Sequence, residues 1–207
     1  MQQLALHHQG LLKGTFELKK LNFLFAFQVN CPGCFFYGIP LVNKLYSTYA
    51  DQVAFLGLST AFEDYEYNNT KNTQLLLDKN ETIGHTKQAL KNEGYDNNPS
   101  SVLFPVAMDQ QADASFDYEK AAETICNINP EYSIWPEFEQ IALKKKVLLY
   151  LKKLDKISLT FTLNQMRGTP TMMIFNDQYE ILYHKFGHTK YEEIEQKLTS
   201  LIHQFNS

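Results

Sequence analysis

The chain has little excess charge of either sign and no long apolar run. Its 207 residues carry 19 Lys and Arg against 23 Asp and Glu, a net charge of −4, so nothing in the balance favours a nucleic-acid partner. The longest apolar run, residues 21–29, still contains Asn22 and Gln28. A helix that crosses a bilayer needs about 20 apolar residues, so we expect no membrane span.

Cysteine is scarce as well. The sequence has three cysteines, and pairing two of them leaves Cys126 over. An odd cysteine is more easily accommodated in a reducing compartment. The N-terminal residues also lack a cationic segment followed by an apolar stretch and a small-residue cleavage site. We therefore expect a cytoplasmic protein, although a processed secreted chain with an added initiator Met would share these features.

The most informative motif is Cys31-Pro32-Gly33-Cys34, which follows the apolar run 21–29. Cysteines three positions apart lie on one face of a helical turn, close enough for a disulfide, whose Cα atoms prefer a separation of roughly 5.5 Å. At the start of a helix the leading sulfur meets unpaired N–H groups and the positive end of the helix dipole, which favour the thiolate. Cys31 is therefore the candidate nucleophile. Pro32 suits the first helical position, from which we predict a helix through Tyr49.

Two other interpretations of this motif have to be weighed. A Cys-x-x-Cys pair is half of many zinc sites, but a structural zinc needs four ligands, and here only Cys126 and six scattered histidines remain. Two chemically idle, buried cysteines are the second alternative, which Pro32 and Gly33 at the head of a helix make unfavourable. We predict that the pair needs neither a metal nor a cofactor.

A second motif, Arg167-Gly168-Thr169-Pro170, precedes the apolar run 171–175. Proline is the residue whose preceding peptide bond is most readily cis, and a cis bond in a folded protein is usually a specific feature of the fold. A trans proline that merely opens a strand is the alternative interpretation.

Strands and helices alternate along the sequence, which is typical of an α/β layer architecture. We predict strands at 21–29, 53–59, 101–109, 171–175 and 180–187, and helices at 32–49, 72–91, 116–126, 136–154 and 190–205. Pro105 should place the strand 101–109 at a sheet edge or a bulge. The length suits a single domain over 1–207, with a mainly helical insertion at about 112–160.

The two motifs and this order of elements resemble the thioredoxin superfamily, more narrowly its redoxin, TlpA-like branch with a C-P-G-C site. The resemblance implies a thioredoxin-like fold, in which helices flank a central mixed sheet. It also implies that the bond between Thr169 and Pro170 is cis and faces the cysteines, so that the backbone of Thr169 pairs with an incoming substrate strand. Arg167 and Gly168 would lead into this loop.

The activity that the resemblance implies is thiol-disulfide exchange with protein or small thiol substrates. Cys31 as thiolate would attack a substrate disulfide, and Cys34 would resolve the mixed disulfide. A separate redox partner would then recycle the pair.

The chain departs from thioredoxins at two positions near the motif. Phe25 stands where an acidic residue commonly helps to remove the proton of the second cysteine, so water or another carboxylate, such as Glu63 or Asp64, would have to do so. The helix proline, Pro40, follows Cys34 by six positions instead of the usual five.

Two other functions are compatible with the same fold. A thiol peroxidase of the peroxiredoxin type generally has Thr three residues and Pro seven residues before its reactive cysteine, where this chain has Gln28 and Leu24. A binding module with redox-silent cysteines is the non-enzymatic alternative.

Overall fold

The computed structural model describes residues 2–206, in which strands and helices alternate as the sequence predicts. The strands are β1 His8–Lys13, β2 Leu21–Phe27, β3 Ala54–Ser59, β4 Val106–Asp109, β5 Thr171–Asn176 and β6 Ile181–Phe186. The α-helices are α1 Ile39–Tyr49, α2 Thr70–Lys79, α3 Gly84–Asn92, α4 Tyr118–Cys126, α5 Glu137–Leu151, α6 Leu159–Leu163 and α7 Tyr191–Asn206. A π-helical turn at Cys34–Gly38 leads into α1, and a 3₁₀ turn at Tyr132–Ile134 precedes α5.

The strands form one mixed sheet in the order β1-β4-β3-β2-β5-β6. Strands β2, β3 and β4 are parallel, while β1, β5 and β6 run antiparallel to their neighbours. All seven residues of β2 are buried, as expected for a central strand covered on both faces. The predicted fold class, a mixed sheet flanked by helices, is confirmed.

The side chains of β2 alternate between two hydrophobic cores. Phe23, Phe25 and Phe27 belong to the larger core, which includes residues of α1 and α7. Leu24 and Ala26 belong to a second core on the opposite face of the sheet. A third cluster is formed mainly by residues of α4, α5 and α6. Among the described residues, no helix is both long and apolar enough to cross a membrane.

The helix predicted over 72–91 is wrong, because two helices occupy this stretch. Asn80 ends α2 in a left-handed conformation with φ of +56°, and Gly84 begins α3 with φ of +53°. A left-handed residue cannot continue an α-helix, so the chain turns between them.

The strand predicted over 101–109 is shorter and lies inside the sheet. It begins at Val106, after Pro105, whose carbonyl accepts a hydrogen bond from Gly57 N at 2.8 Å. Of the two expected positions, the edge is wrong because the unpredicted β1 pairs with the outer side of β4. The pairing of β1 with β4 is irregular beside Pro105, since its register shifts between Leu11 and Lys13. Pro105 precedes the ladder, so its missing N–H costs no strand pairing.

Candidate functional site

The cysteine pair lies where β2 passes into a helix. The helical segment opens at Pro32, and the backbone N–H of Cys34 donates to the carbonyl of Cys31 at 3.0 Å. Both cysteines are free thiols. Cys31 is partly exposed, whereas Cys34 is completely buried, so a substrate can reach only the first sulfur directly.

The Thr169-Pro170 loop meets this pair in space. Its peptide bond is cis. As a thiol, Cys31 donates from Sγ to the carbonyl of Thr169 at 3.5 Å, and a Cβ built on Gly33 or Gly38 would lie 4.0 or 3.5 Å from the Pro170 ring. The sheet explains this proximity, since β5 pairs with β2 and therefore starts beside the end of β2. The two motifs form one site.

The environment of Cys31 favours its thiolate. The pKa of Cys31 is lowered from 9.0 to about 6, chiefly by a hydrogen bond from the Cys34 side chain. Partial burial opposes this shift, while further hydrogen bonds from the Thr169 side chain and from the backbone of Cys34 and Gly33 support it. The backbone contributions match the unpaired N–H groups of a first helical turn. Cys31 is thus ionised at neutral pH.

Cys34 has the opposite character. Burial raises its pKa well above the ordinary value, and its hydrogen bond to the negatively charged Cys31 sulfur raises it further. The pair therefore consists of an accessible thiolate and a protonated thiol one turn away. This asymmetry is what a nucleophile and a resolving cysteine require.

Gln28 lies beneath the pair and contacts both motifs. Its side-chain Oε1 accepts a hydrogen bond from the Thr169 hydroxyl at 3.1 Å, and its backbone forms a hydrogen bond with Cys34. The Gln28 Nε2 is buried and has no hydrogen-bond partner among the described residues. Sequence reasoning used Gln28 only to argue against a peroxiredoxin. A polar residue near the end of a buried strand, three positions before Cys31, was the signal for a role at the site.

Asn30, the residue before Cys31, is fixed by three hydrogen bonds. Its backbone N–H donates to Asn68 Oδ1 at 3.0 Å, its Nδ2 donates to Asp64 Oδ2 at 2.9 Å, and its Oδ1 accepts from His85 N at 2.7 Å. These hydrogen bonds fix the residue before Cys31 against the loop before α2 and the start of α3.

The carboxylates considered for proton transfer do not contact Cys34. In residues 2–206 no hydrogen bond joins Cys34 to Glu63 or Asp64, and Asp64 instead binds Asn30. Neither of these two carboxylates is therefore placed to accept the proton of Cys34 directly.

Arg167 and Gly168 precede the loop as expected. Gly168 has a φ of +155°, a conformation that favours glycine. Arg167 is exposed, and its guanidinium carbon lies 5.7 Å from the centre of the Phe186 ring. Within the described part of the chain, no group of three or more His, Cys, Asp or Glu side chains is placed to hold a metal ion.

Comparison with known proteins gave matches only among solved structures, since no family model and no curated protein sequence matches the chain. A thioredoxin-like superfamily protein is 21% identical, with 98% of this chain and 97% of that chain covered and a TM-score of 0.57. A thiol-disulfide isomerase from Corynebacterium glutamicum is 17% identical, with coverage of 97% and 95% and a TM-score of 0.59.

A third match is the structure of MTB DsbF in mixed oxidized and reduced forms. It is 13% identical, the alignment covers 97% of this chain and 98% of that chain, and the TM-score is 0.50. At these identities the likeness concerns the fold alone, and the alignments extend over nearly the whole chain.

Proposed function

We propose that this chain, which has a thioredoxin-like fold, is a thiol-disulfide oxidoreductase. The observation that carries the proposal is the asymmetry of the cysteine pair, in which Cys31 is accessible with a pKa of about 6 and Cys34 is buried and protonated. The nearby Thr169 carbonyl offers a backbone acceptor beside the reactive sulfur. A zinc site or an inert pair would not need these opposite environments.

In the first step, the Cys31 thiolate attacks one sulfur of a substrate disulfide. The Cys31–substrate disulfide forms, the substrate S–S bond breaks, and the departing substrate thiolate takes up a proton. Because Cys31 is already ionised near neutral pH, this step needs no general base.

In the second step, Cys34 passes its proton to water or to the substrate thiolate released in the first step, and its sulfur attacks the Cys31 sulfur. The substrate leaves as its second thiolate, and the protein keeps a Cys31–Cys34 disulfide, so two electrons have moved to the substrate. The proton of Cys34 is no longer shared with a negative Cys31 sulfur once the mixed disulfide exists, which removes one of the causes of its raised pKa. Its position one turn away gives the attack a high effective concentration.

The same steps in reverse donate a disulfide to a dithiol substrate. In either direction, a separate thiol or disulfide partner must restore the starting state of the pair. We retain the cytoplasm as the proposed location, on the ground of the odd cysteine count.

Reduction of insulin with dithiothreitol as electron source tests this proposal. We expect Cys31→Ser to abolish catalysed reduction and Cys34→Ser to accumulate mixed disulfides with insulin that mass spectrometry identifies. Cys126→Ser is the matched control, because Cys126 is buried at the end of α4 and should leave the rate unchanged.

Full activity of Cys31→Ser would overturn the assignment of the nucleophile. Rapid consumption of hydrogen peroxide by the wild-type protein in stopped-flow experiments, without insulin reduction, would favour a thiol peroxidase instead.

A further inference from the structure

The end of β6 is fastened to the Thr169-Pro170 loop. Gly187 N donates to the carbonyl of Pro170 at 2.8 Å. The Phe186 ring packs directly on Gly168, where an added Cβ would approach Phe186 Cε2 to 2.8 Å. Phe186 therefore lies beside the residue that precedes Thr169, yet 41% of its surface is exposed.

A pair of rings also lies near this loop. Gly38 lies against Pro170, and its neighbour Tyr37 is 53% exposed. The Tyr37 ring meets the His188 ring edge-on at a centroid distance of 4.4 Å. Since His188 follows the residue that binds Pro170, this ring pair connects the helix of the cysteines to the end of β6.

Arg167 adds a positive charge that forms no ion pair within the described chain. Its side chain is exposed and lies over the Phe186 ring. Residues 2–206 contain two ion pairs, Lys144 with Glu119 and Lys185 with Glu193, so no carboxylate of the described chain neutralises Arg167. A guanidinium supported by an aromatic ring has a planar edge free for two parallel hydrogen bonds to a carboxylate.

Exposed aromatic side chains are ordinary when they are scattered. Here Tyr37, Arg167, Phe186 and His188, which we call the rim, lie near the Thr169-Pro170 loop, which contacts the reactive sulfur. Aromatic rings and arginine are the side chains enriched at protein interfaces. The rings bury a large area and lose little rotamer freedom, and the planar guanidinium can form several hydrogen bonds at once.

We propose that the rim selects polypeptide disulfides that carry a carboxylate side chain beside the reactive cystine, with Arg167 as the carboxylate receptor. This inference rests on the proposed oxidoreductase function and adds a substrate class to it. The rings supply sequence-tolerant contact area, whereas Arg167 supplies the charge preference.

Two synthetic peptide disulfides that differ only in Glu or Gln next to the cystine provide the test. We expect the wild-type protein to reduce the Glu peptide with a kcat/KM about 2- to 5-fold higher, the range of an exposed ion pair. Arg167→Gln should bring the ratio of the two kcat/KM values close to one. Added salt should shrink the wild-type ratio, because it screens exposed charges.

Lys145→Gln is the matched control, since it removes the same charge from an exposed position on α5. It should keep the wild-type ratio. Equal kcat/KM for both peptides with the wild-type protein would overturn the charge preference and leave the oxidoreductase intact. If Lys145→Gln also reduces both peptides with equal kcat/KM, the assignment of the charge preference to Arg167 is overturned, because the preference then depends on net charge. Failure of the wild-type protein to reduce either peptide would overturn the oxidoreductase itself.

Discussion

Replacement of Cys34 provides the sharpest test of how the site activates Cys31. The side chain of Cys34 is the largest contribution that lowers the pKa of Cys31 to about 6. Alanine removes this hydrogen-bond donor, whereas serine keeps a donor of similar size. We expect Cys34→Ala to raise the pKa of Cys31 toward the ordinary value of about 8.5, and Cys34→Ser to raise it less.

The size of the effect decides which quantity to measure. At pH 7, a thiol with a pKa of 6 is about 90% thiolate, and one with a pKa of 8.5 is about 3% thiolate, roughly a 30-fold difference. The less acidic thiolate is intrinsically more nucleophilic, by about 10-fold for 2.5 pKa units at a Brønsted slope of roughly 0.45. The two effects nearly cancel in a rate at one pH, so the midpoint of the pH profile is the informative quantity.

Alkylation by iodoacetamide between pH 4 and pH 10 gives this midpoint. The label is quantified on the Cys31 peptide by mass spectrometry, which separates it from the third thiol, Cys126. We expect a midpoint near 6 for the wild-type protein. A midpoint that stays near 6 in Cys34→Ala would refute the reasoning, because the principal cause of the shift would then lie elsewhere.

Three further predictions concern residues around the site and in the core. The one proton of the Thr169 hydroxyl can be donated either to Gln28 Oε1 or to the Cys31 sulfur, so the two acceptors compete. Gln28→Leu removes the competing acceptor, so we expect the pKa of Cys31 to fall in the same alkylation assay; a rise would show that the amide acts in the opposite orientation. Burial raises the pKa of the Asp109 carboxyl from 3.8 to about 6, so this carboxyl binds a proton more tightly in the folded protein than in the unfolded chain. Its contribution to stability is therefore present below about pH 4 and is lost as the pH rises through 6. The difference in unfolding free energy between wild type and Asp109→Asn should therefore shift by about 3 kcal/mol in favour of the variant between pH 3 and pH 7, and a constant difference in urea titrations would contradict it. Gly38→Ala would place a Cβ 2.6 Å from Phe25 Cζ, so we expect a loss of about 1–3 kcal/mol in urea unfolding, and unchanged stability would contradict this packing.

The sequence was most informative where structure is local. A buried strand, three connecting residues and the sequence Cys-Pro-Gly-Cys at the start of a helix place both sulfurs on one helical turn whatever the rest of the chain does. Periodicity also located the helices of the insertion, since α4 and α5 lie inside the predicted ranges 116–126 and 136–154.

Pairing between strands that are distant in sequence could not be predicted from the residues. Nothing in the residues of β1 indicates that they cover β4, so the interior position of β4 was missed. The break between α2 and α3 depends on a left-handed asparagine, a conformation that most asparagines do not adopt. The contact of Phe186 with Gly168 likewise depends on the register of the β5–β6 hairpin.

The central claim is that Cys31 and Cys34 form a redox couple. Equilibration of the protein with glutathione mixtures of graded ratio, acid quenching and mass spectrometry measure it directly. We predict a reversible loss of two hydrogen atoms per chain as an intramolecular disulfide forms, absent in Cys31→Ser and present in Cys126→Ser. A pair that stays reduced under oxidised glutathione, or that accumulates only glutathione adducts, would contradict the account.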